Sequence, residues 1–154
     1  MKDYSFGFIG GGRITRILLE RLKNVDLLKH QVSICEPNKE ANELLSSRLG
    51  NVALISDNPT HALQQDIVFF ALHPPVFIKA LEISASQLSK RSIIVSLAPA
   101  ITTKRISECL NGFDRIVRFI PNAPSIIGEG FNPITFPPSL TQQEKSDLLS
   151  IFSN

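Results

Sequence analysis

Cysteine is scarce: Cys35 and Cys109 are the only two in 154 residues. Neither sits in a CxxC or a Cys/His ligand spacing, which excludes a disulfide framework and any zinc pattern. They read as buried thiols of a reducing compartment. His30 and His61 have no partner pattern either, so no metal is expected. An excess of one charge is also missing, because 16 basic and 14 acidic residues, formally +2 net, are mixed along the chain. No basic stripe points to nucleic acid, and no acidic tail points to a charged partner. No apolar run approaches the ~20 residues of a membrane span. The apolar stretch after Lys2 is cut by Gly10-Gly11-Gly12, leaving it too short for the core of a secretory leader. The expectation is a cytoplasmic protein with neither a membrane nor a nucleic acid as partner. With 43% apolar and 19% charged residues and no repeat or linker, residues 1–154 read as one domain able to bury a core.

What is present begins at Ser5-Phe6-Gly7-Phe8-Ile9-Gly10-Gly11-Gly12-Arg13-Ile14, which reads as a strand, a glycine turn and a helix start. The amphipathic run Thr15 to Leu22 continues the helix. A glycine turn between a buried strand and a helix N-terminus forms a pyrophosphate site. Gly10 permits the tight turn, Gly12 lets the backbone approach the phosphates, and the helix's unpaired N–H groups face the anion. The third glycine of G-x-G-x-x-G is replaced by Thr15, a departure at the position that serves helix–strand packing.

Further on, strands and helices alternate. Strands are expected at 31–36, 52–55, 66–72, 92–97 and 115–120, with a late one at 134–136. Helices are expected at 39–49 with Ala41, Leu44, Leu45 and Leu49 inward, at 76–88 and at 101–110. A last helix opens on the capping box Thr141-Gln142-Gln143-Glu144, with Leu148, Leu149 and Phe152 inward. The run Asp66 to Leu72 is apolar after its first residue, as in a parallel sheet covered on both faces. The order implies right-handed crossovers and a doubly wound, mostly parallel α/β sheet, Rossmann-like, in three αβα layers. Ligands of such sheets bind at the carboxyl ends of the strands, here the loops opening at Gly10, Glu36, Asp57, His73, Ala98 and Pro121.

Those loops together resemble the N-terminal domain of the pyrroline-5-carboxylate reductase family. Gly7-Phe8-Ile9-Gly10-Gly11-Gly12 is similar to its opening cofactor fingerprint, and Ala71-Leu72-His73-Pro74-Pro75 to its small-apolar-Lys-Pro segment. Ser96-Leu97-Ala98-Pro99-Ala100-Ile101-Thr102 resembles its Ser-x-Ala-Ala-Gly-Ile/Val-Thr segment. Arg118-Phe119-Ile120-Pro121-Asn122-Ala123-Pro124 with Gly128-Glu129-Gly130 is similar to its Arg-x-Met-Pro-Asn-Thr-Pro signature and following Gly-Glu-Gly.

The resemblance implies an NAD(P)-dependent oxidoreductase of proline biosynthesis that moves hydride from NAD(P)H to the C=N carbon of a small cyclic imine. It places Ile9, Gly10, Gly11, Gly12, Arg13 and Ile14 along the pyrophosphate, and Glu36, Asn38 and Asn58 at the adenosine half. Ala71, Leu72, His73 and Pro74, with Leu97, Ala98 and Pro99, flank the nicotinamide side, and Asn122 lies by the imine. No catalytic residue is assigned. Three departures bear on activity: His73 stands where the family has Lys, Ala100 where it has Gly, and Pro99 where it has Ala. Glu36, 24 positions after Gly12, lies near the ~20-residue spacing of the carboxylate that accepts the ribose hydroxyls of NAD and repels a 2′-phosphate. NAD is therefore slightly preferred to NADP, with Lys39 nearby as an offset. The family also has a last strand and a helical dimerisation domain. The expectation is a cofactor domain truncated before them, self-associating through an open sheet edge. Two alternatives stay open. One is a non-catalytic dinucleotide-binding module or sensor. The other is the cofactor domain of a different Rossmann reductase, such as a hydroxyacid or deazaflavin-dependent enzyme.

Overall fold

Mostly apolar segments of four residues, too short for helices and punctuated by turn residues, form six of the seven strands of the sheet. The computed structural model describes residues 2–24, 26–28, 31–121 and 132–152. β1 (Phe6–Ile9) leads through the glycine turn into α1 (Arg13–Asn24), then β2 (Val32–Cys35), α2 (Lys39–Leu49) and β3 (Ala53–Ser56). Next come α3 (Thr60–Leu63), β4 (Ile67–Phe70), α4 (Pro74–Ser84), β5 (Ile93–Ser96) and α5 (Thr103–Cys109). β6 (Ile116–Phe119), β7 (Ile134–Thr135) and α6 (Gln142–Phe152) complete the described chain.

The seven strands lie in the order β3-β2-β1-β4-β5-β6-β7. Neighbours are parallel except β7, which runs antiparallel to β6 with Ile134 opposite Phe119. This is the doubly wound Rossmann order, and its direction reverses between β1 and β4, where such sheets open a crevice. The strand alternation splits the core in two. Phe8, Ile34, Phe69, Val95 and Val117 pack with Leu18 and Leu22 of α1 and with Leu148 and Phe152 of α6. Val68, Phe70, Ile94 and Ile116 pack with Leu63 of α3, Phe77 and Leu81 of α4 and Ile106 of α5. An aromatic chain ties the first layer together: Phe8 stacks on Phe69 at 4.7 Å, and Phe152 meets Phe69 edge-on at 6.0 Å and stacks on Phe119 at 4.3 Å.

Local chemistry sets the helix ends. Asn38 caps α2, its side chain accepting from Ala41 N–H at 2.9 Å, and Gly50 stops it at φ +51°. The Thr141–Glu144 capping box forms both reciprocal bonds, at 3.2 and 2.9 Å. Thr102 accepts from Arg105 N–H, so α5 starts at Thr103 rather than at Ile101. The helix expected at 76–88 runs from Pro74 to Ser84, because prolines fit a first turn whose N–H groups are unpaired anyway.

Two inward assignments are corrected. Leu149 is 46% exposed and Ile151 is buried instead, because the buried face of α6 is centred on Asp147, Leu148, Ile151 and Phe152 and Leu149 lies off its edge. Leu44 is likewise exposed, and Leu45 alone on α2 is fully buried. Cys35 is buried as expected, whereas Cys109 is half-buried. α3 has no hydrophobic periodicity of its own. It is set by Asn58, whose side chain accepts from Thr60 N–H at 2.9 Å. It packs so closely on β1 that a Cβ on Gly7 would lie 2.0 Å from the Ala62 carbonyl oxygen. Only glycine fits there.

Candidate dinucleotide site

Backbone hydrogen bonds lace the strand ends into one rim. Glu36 N–H donates to Ser56 O at 2.8 Å, Gly10 N–H to Cys35 O at 2.9 Å, Ala71 N–H to Ile9 O at 2.9 Å and Leu97 N–H to Phe70 O at 3.3 Å. The loops named from the sequence after β1, β2, β3, β4 and β5 therefore lie along the same edge of the sheet.

The glycines divide their work. Gly10 has φ +102°, and a Cβ there would sit 2.6 Å from Ala71 O. Gly11 is walled by Leu45 and Glu36, with a notional Cβ 2.4 Å from Leu45 Cδ1. Gly12 is open: a Cβ would meet nothing within 4 Å. The first bond of α1 runs from Arg16 N–H to Gly12 O at 3.3 Å, so the N–H groups of residues 12–15 precede the helical ladder. Gly12 and the Arg13 side chain are exposed at this end of the helix. Unpaired donors, the positive end of the helix dipole and open room coincide here, the combination that suits an anion. Thr15, standing for the third glycine, is fully buried and donates its hydroxyl to Gly10 O at 2.6 Å. The helix is thereby tied to the turn by a hydrogen bond instead of by close glycine packing.

Glu36 is bound into the same corner. Its carboxylate accepts from Gly11 N–H at 2.8 Å through one oxygen and from Asn38 N–H at 2.9 Å through the other. Each oxygen keeps a lone pair for a further donor. Beside it opens a cleft of about 440 Å³ over the ends of β2 and β3, lined by Glu36, Lys39, Asn42, Glu43, Ser56 and Asp57 among others. Three carboxylates face one ammonium there. Burial, then the carboxylates of Glu36 and Asp57, push the Cys35 thiol up to about 11. The residue is a packing group, not a nucleophile.

The remaining candidates fall into distinct places. Ile9 is a core side chain whose carbonyl holds Ala71, so it contributes backbone only. Ile14 is half-buried against the core. The side chains of Asn38 and Asn58 are engaged in starting α2 and α3. On the far side of the crevice Ala71 and Leu72 are half-buried, while His73 and Pro74 are exposed at the start of α4, where the His73 side chain makes no capping bond. Leu97 is half-buried, Ala98 buried and Pro99 exposed. Asn122 lies outside the described residues. Sequence reading missed the Thr15 tie, the wall at Gly11, the Glu43 and Asp57 lining, and the contact of Arg118 with Pro99 O. Among the described residues no helix is long and apolar enough to cross a membrane.

A parallel sheet in this order, with an anion cradle at its switch point and an acid at the end of β2, defines a Rossmann-type dinucleotide-binding domain. Known proteins narrow the class. The chain belongs to the family described as NADP oxidoreductase, coenzyme F420-dependent, which it matches over residues 5–100. It is 29% identical over 151 residues to a pyrroline-5-carboxylate reductase of Escherichia coli, covering 97% of this chain and 56% of that protein. The structure of a pyrroline-5-carboxylate reductase from Coxiella burnetii superposes with a TM-score of 0.86 at 22% identity, over 98% of this chain and 56% of that one. The Plasmodium falciparum pyrroline carboxylate reductase, solved with NADP bound, gives a TM-score of 0.79 at 19% identity, over 99% of this chain and 55% of that one. The chain thus spans a little over half the length of these relatives.

Proposed function

We propose that residues 1–154 form the cofactor domain of an NAD(P)-dependent imine reductase of the pyrroline-5-carboxylate reductase type. The observation that carries this reading is the open cradle over Gly12 at the N-terminus of α1, in a chain whose relatives bear that name. A bound nicotinamide would supply the hydride. The chain's own contribution is to hold the diphosphate on the N–H groups of residues 12–15 and to direct the two halves of the molecule to opposite sides of the crevice. Glu36 takes ribose hydroxyls, and the cleft beside it takes the rest of the adenosine. Ala71 to Pro74 and Leu97 to Pro99 flank the nicotinamide.

NAD(H) is the preferred cofactor in this reading. A 2′-phosphate entering the cleft would face Glu36, Glu43 and Asp57, with Lys39 as the cation lining it. Calorimetric titration with NADH and NADPH tests this. Tighter NADPH binding by tenfold, about 1.4 kcal/mol, would overturn the preference. The substrate class is a small cyclic imine, and residues 1–154 assayed alone should oxidise NAD(P)H with it far more slowly than a full-length relative. Positioning supplies roughly 7–11 kcal/mol of barrier lowering, and the described residues place groups for the cofactor half only. A rate within tenfold of the relative would refute this.

A second reading, a non-catalytic dinucleotide-binding module, is favoured by one observation. Pro99 and Ala100 occupy the exposed connection beside the nicotinamide side, and proline there removes a backbone donor. Binding without turnover, even when the partner half of a full-length relative is supplied, would select it. We also propose self-association of this cytoplasmic domain, supported by the exposed Leu149 and by Val52 and Leu54 at the β3 edge. A monomer by light scattering at high concentration would refute that.

A further inference from the structure

Arg118 is an unusual residue for its place. It sits on β6 between buried Val117 and Phe119, in register with Ser96 of β5 and Thr135 of β7. Strand alternation puts it on the face of α5, beneath the connection from β5 to α5. Its guanidinium donates through one terminal nitrogen to the carbonyl of Pro99, at the exposed crest of that connection. Its Nε is enclosed and has no acceptor among the described residues. A buried donor without an acceptor costs stability, and among the described residues this one has none. Local rules are broken in this way mostly at functional sites.

The connection it grips is otherwise weakly held at its crest. Leu97 N–H bonds Phe70 O at 3.3 Å and Ala98 N–H bonds the Ser96 hydroxyl at 3.4 Å. Beyond them Pro99 has no N–H to give, so its carbonyl is the handle by which the backbone can be fixed. A guanidinium makes a charge-assisted bond to that handle and keeps a planar, pre-organised geometry that an ammonium lacks. The fold states which half of a dinucleotide this concerns. With the diphosphate over Gly12 and the ribose carboxylate at the end of β2, the adenosine half lies over β2 and β3. The other half lies over β4 and β5, against the Ala98–Pro99 connection.

We propose that Arg118 is a positioning residue for the nicotinamide half: by holding the Pro99 carbonyl it fixes the wall against which that ring is set. This rests on the dinucleotide reading above and adds a specificity element that reading does not contain. Arg118 touches the wall and acts on the cofactor only through it.

The test compares two ligands on one preparation. NADH reports both halves of the site, whereas ADP-ribose lacks the nicotinamide ring. Wild type and the variants Arg118→Met and Arg118→Lys are titrated with each ligand by calorimetry, with NADH fluorescence as a second readout of the ring's environment. Arg118→Met should weaken NADH about tenfold and leave ADP-ribose within about twofold. Arg118→Lys should recover part of the loss. The ratio of the two affinities does not depend on the folded fraction, so a partly unfolded variant still separates the outcomes. Equal weakening of both ligands, or no change in either, overturns the role of Arg118 while the dinucleotide reading stands. Failure of wild type to bind ADP-ribose at all overturns the dinucleotide reading itself, and this proposal with it.

Discussion

Gly10 and Gly12 stand two residues apart and should fail in opposite ways when each is changed to alanine. At Gly10 the backbone is at φ +102°, and the new methyl would lie 2.6 Å from Ala71 O and 2.9 Å from Leu72 Cδ2. The left-handed conformation costs roughly 1–2 kcal/mol for an L-residue, and forcing a methyl into packed structure costs roughly 1–3 more. The sum of about 2–5 kcal/mol corresponds to a fall in melting temperature of about 4–20 °C for a chain of this size. At Gly12 the methyl meets nothing within 4 Å. Stability should therefore change by no more than about 0.5 kcal/mol, as at an unencumbered surface site. That methyl would instead occupy the space through which a diphosphate reaches the N–H groups of residues 12–15. NADH affinity should drop at least tenfold, about 1.4 kcal/mol. Thermal melts and calorimetric titrations of both variants read the two quantities separately. Gly12→Ala melting as low as Gly10→Ala, or binding NADH as wild type does, would refute the reasoning.

Other variants probe the supports of the site. Thr15→Val keeps the shape of a fully buried side chain but removes the 2.6 Å bond to Gly10 O; a loss of about 1–3 kcal/mol, seen as a melting temperature lower by about 2–12 °C, is expected. Asp147 of α6 is buried, and burial opposes its ionisation, but hydrogen bonds from the Gln143 side chain, Lys2 N–H and the Tyr4 hydroxyl outweigh that and hold its carboxyl below the ordinary value. Such a group stabilises the fold above the unfolded carboxyl value near ~3.9, and the contribution is lost as pH falls through the lower native value. Asp66 and Glu144 are shifted in the same direction. Melting temperature should therefore drop on acidification below about pH 5, and less steeply in Asp147→Asn, whose neutral-pH stability is already reduced; an unchanged acid slope in that variant would remove Asp147 from the explanation.

Much of the fold is legible because its signals are local. The apolar run of β4 can satisfy only a sheet covered on both faces, and each of its four residues is buried. The cap at Asn38 and the box at Thr141 name their helices directly. What escapes such reading depends on distant partners. An inward Leu149 follows from three apolar residues in one helix, but the side of α6 that is buried is decided by Phe119 and Phe69 across the layer. α3 is too short to show a period, and its place is dictated by Gly7, far away in the chain. The glycine turn is readable from spacing, whereas the Glu36 bond to Gly11 N–H and the hold of Arg118 on Pro99 bring together residues 25 and 19 positions apart. No periodicity encodes such pairs.

The proposed dinucleotide site is tested most directly by following backbone amide resonances while NADH is added to the isotopically labelled chain. The largest shifts should fall on residues 11–15 and on Glu36, with smaller ones at Ala71–His73 and Leu97–Ala98, and should saturate together. Shifts confined elsewhere would contradict the placement. The groove of about 340 Å³ between α5 and β7, lined by Thr103, Ser107 and Phe136 among others, is the place to look for them. An absence of shifts at Gly12 and Arg13 under saturating NADH would contradict the cradle itself.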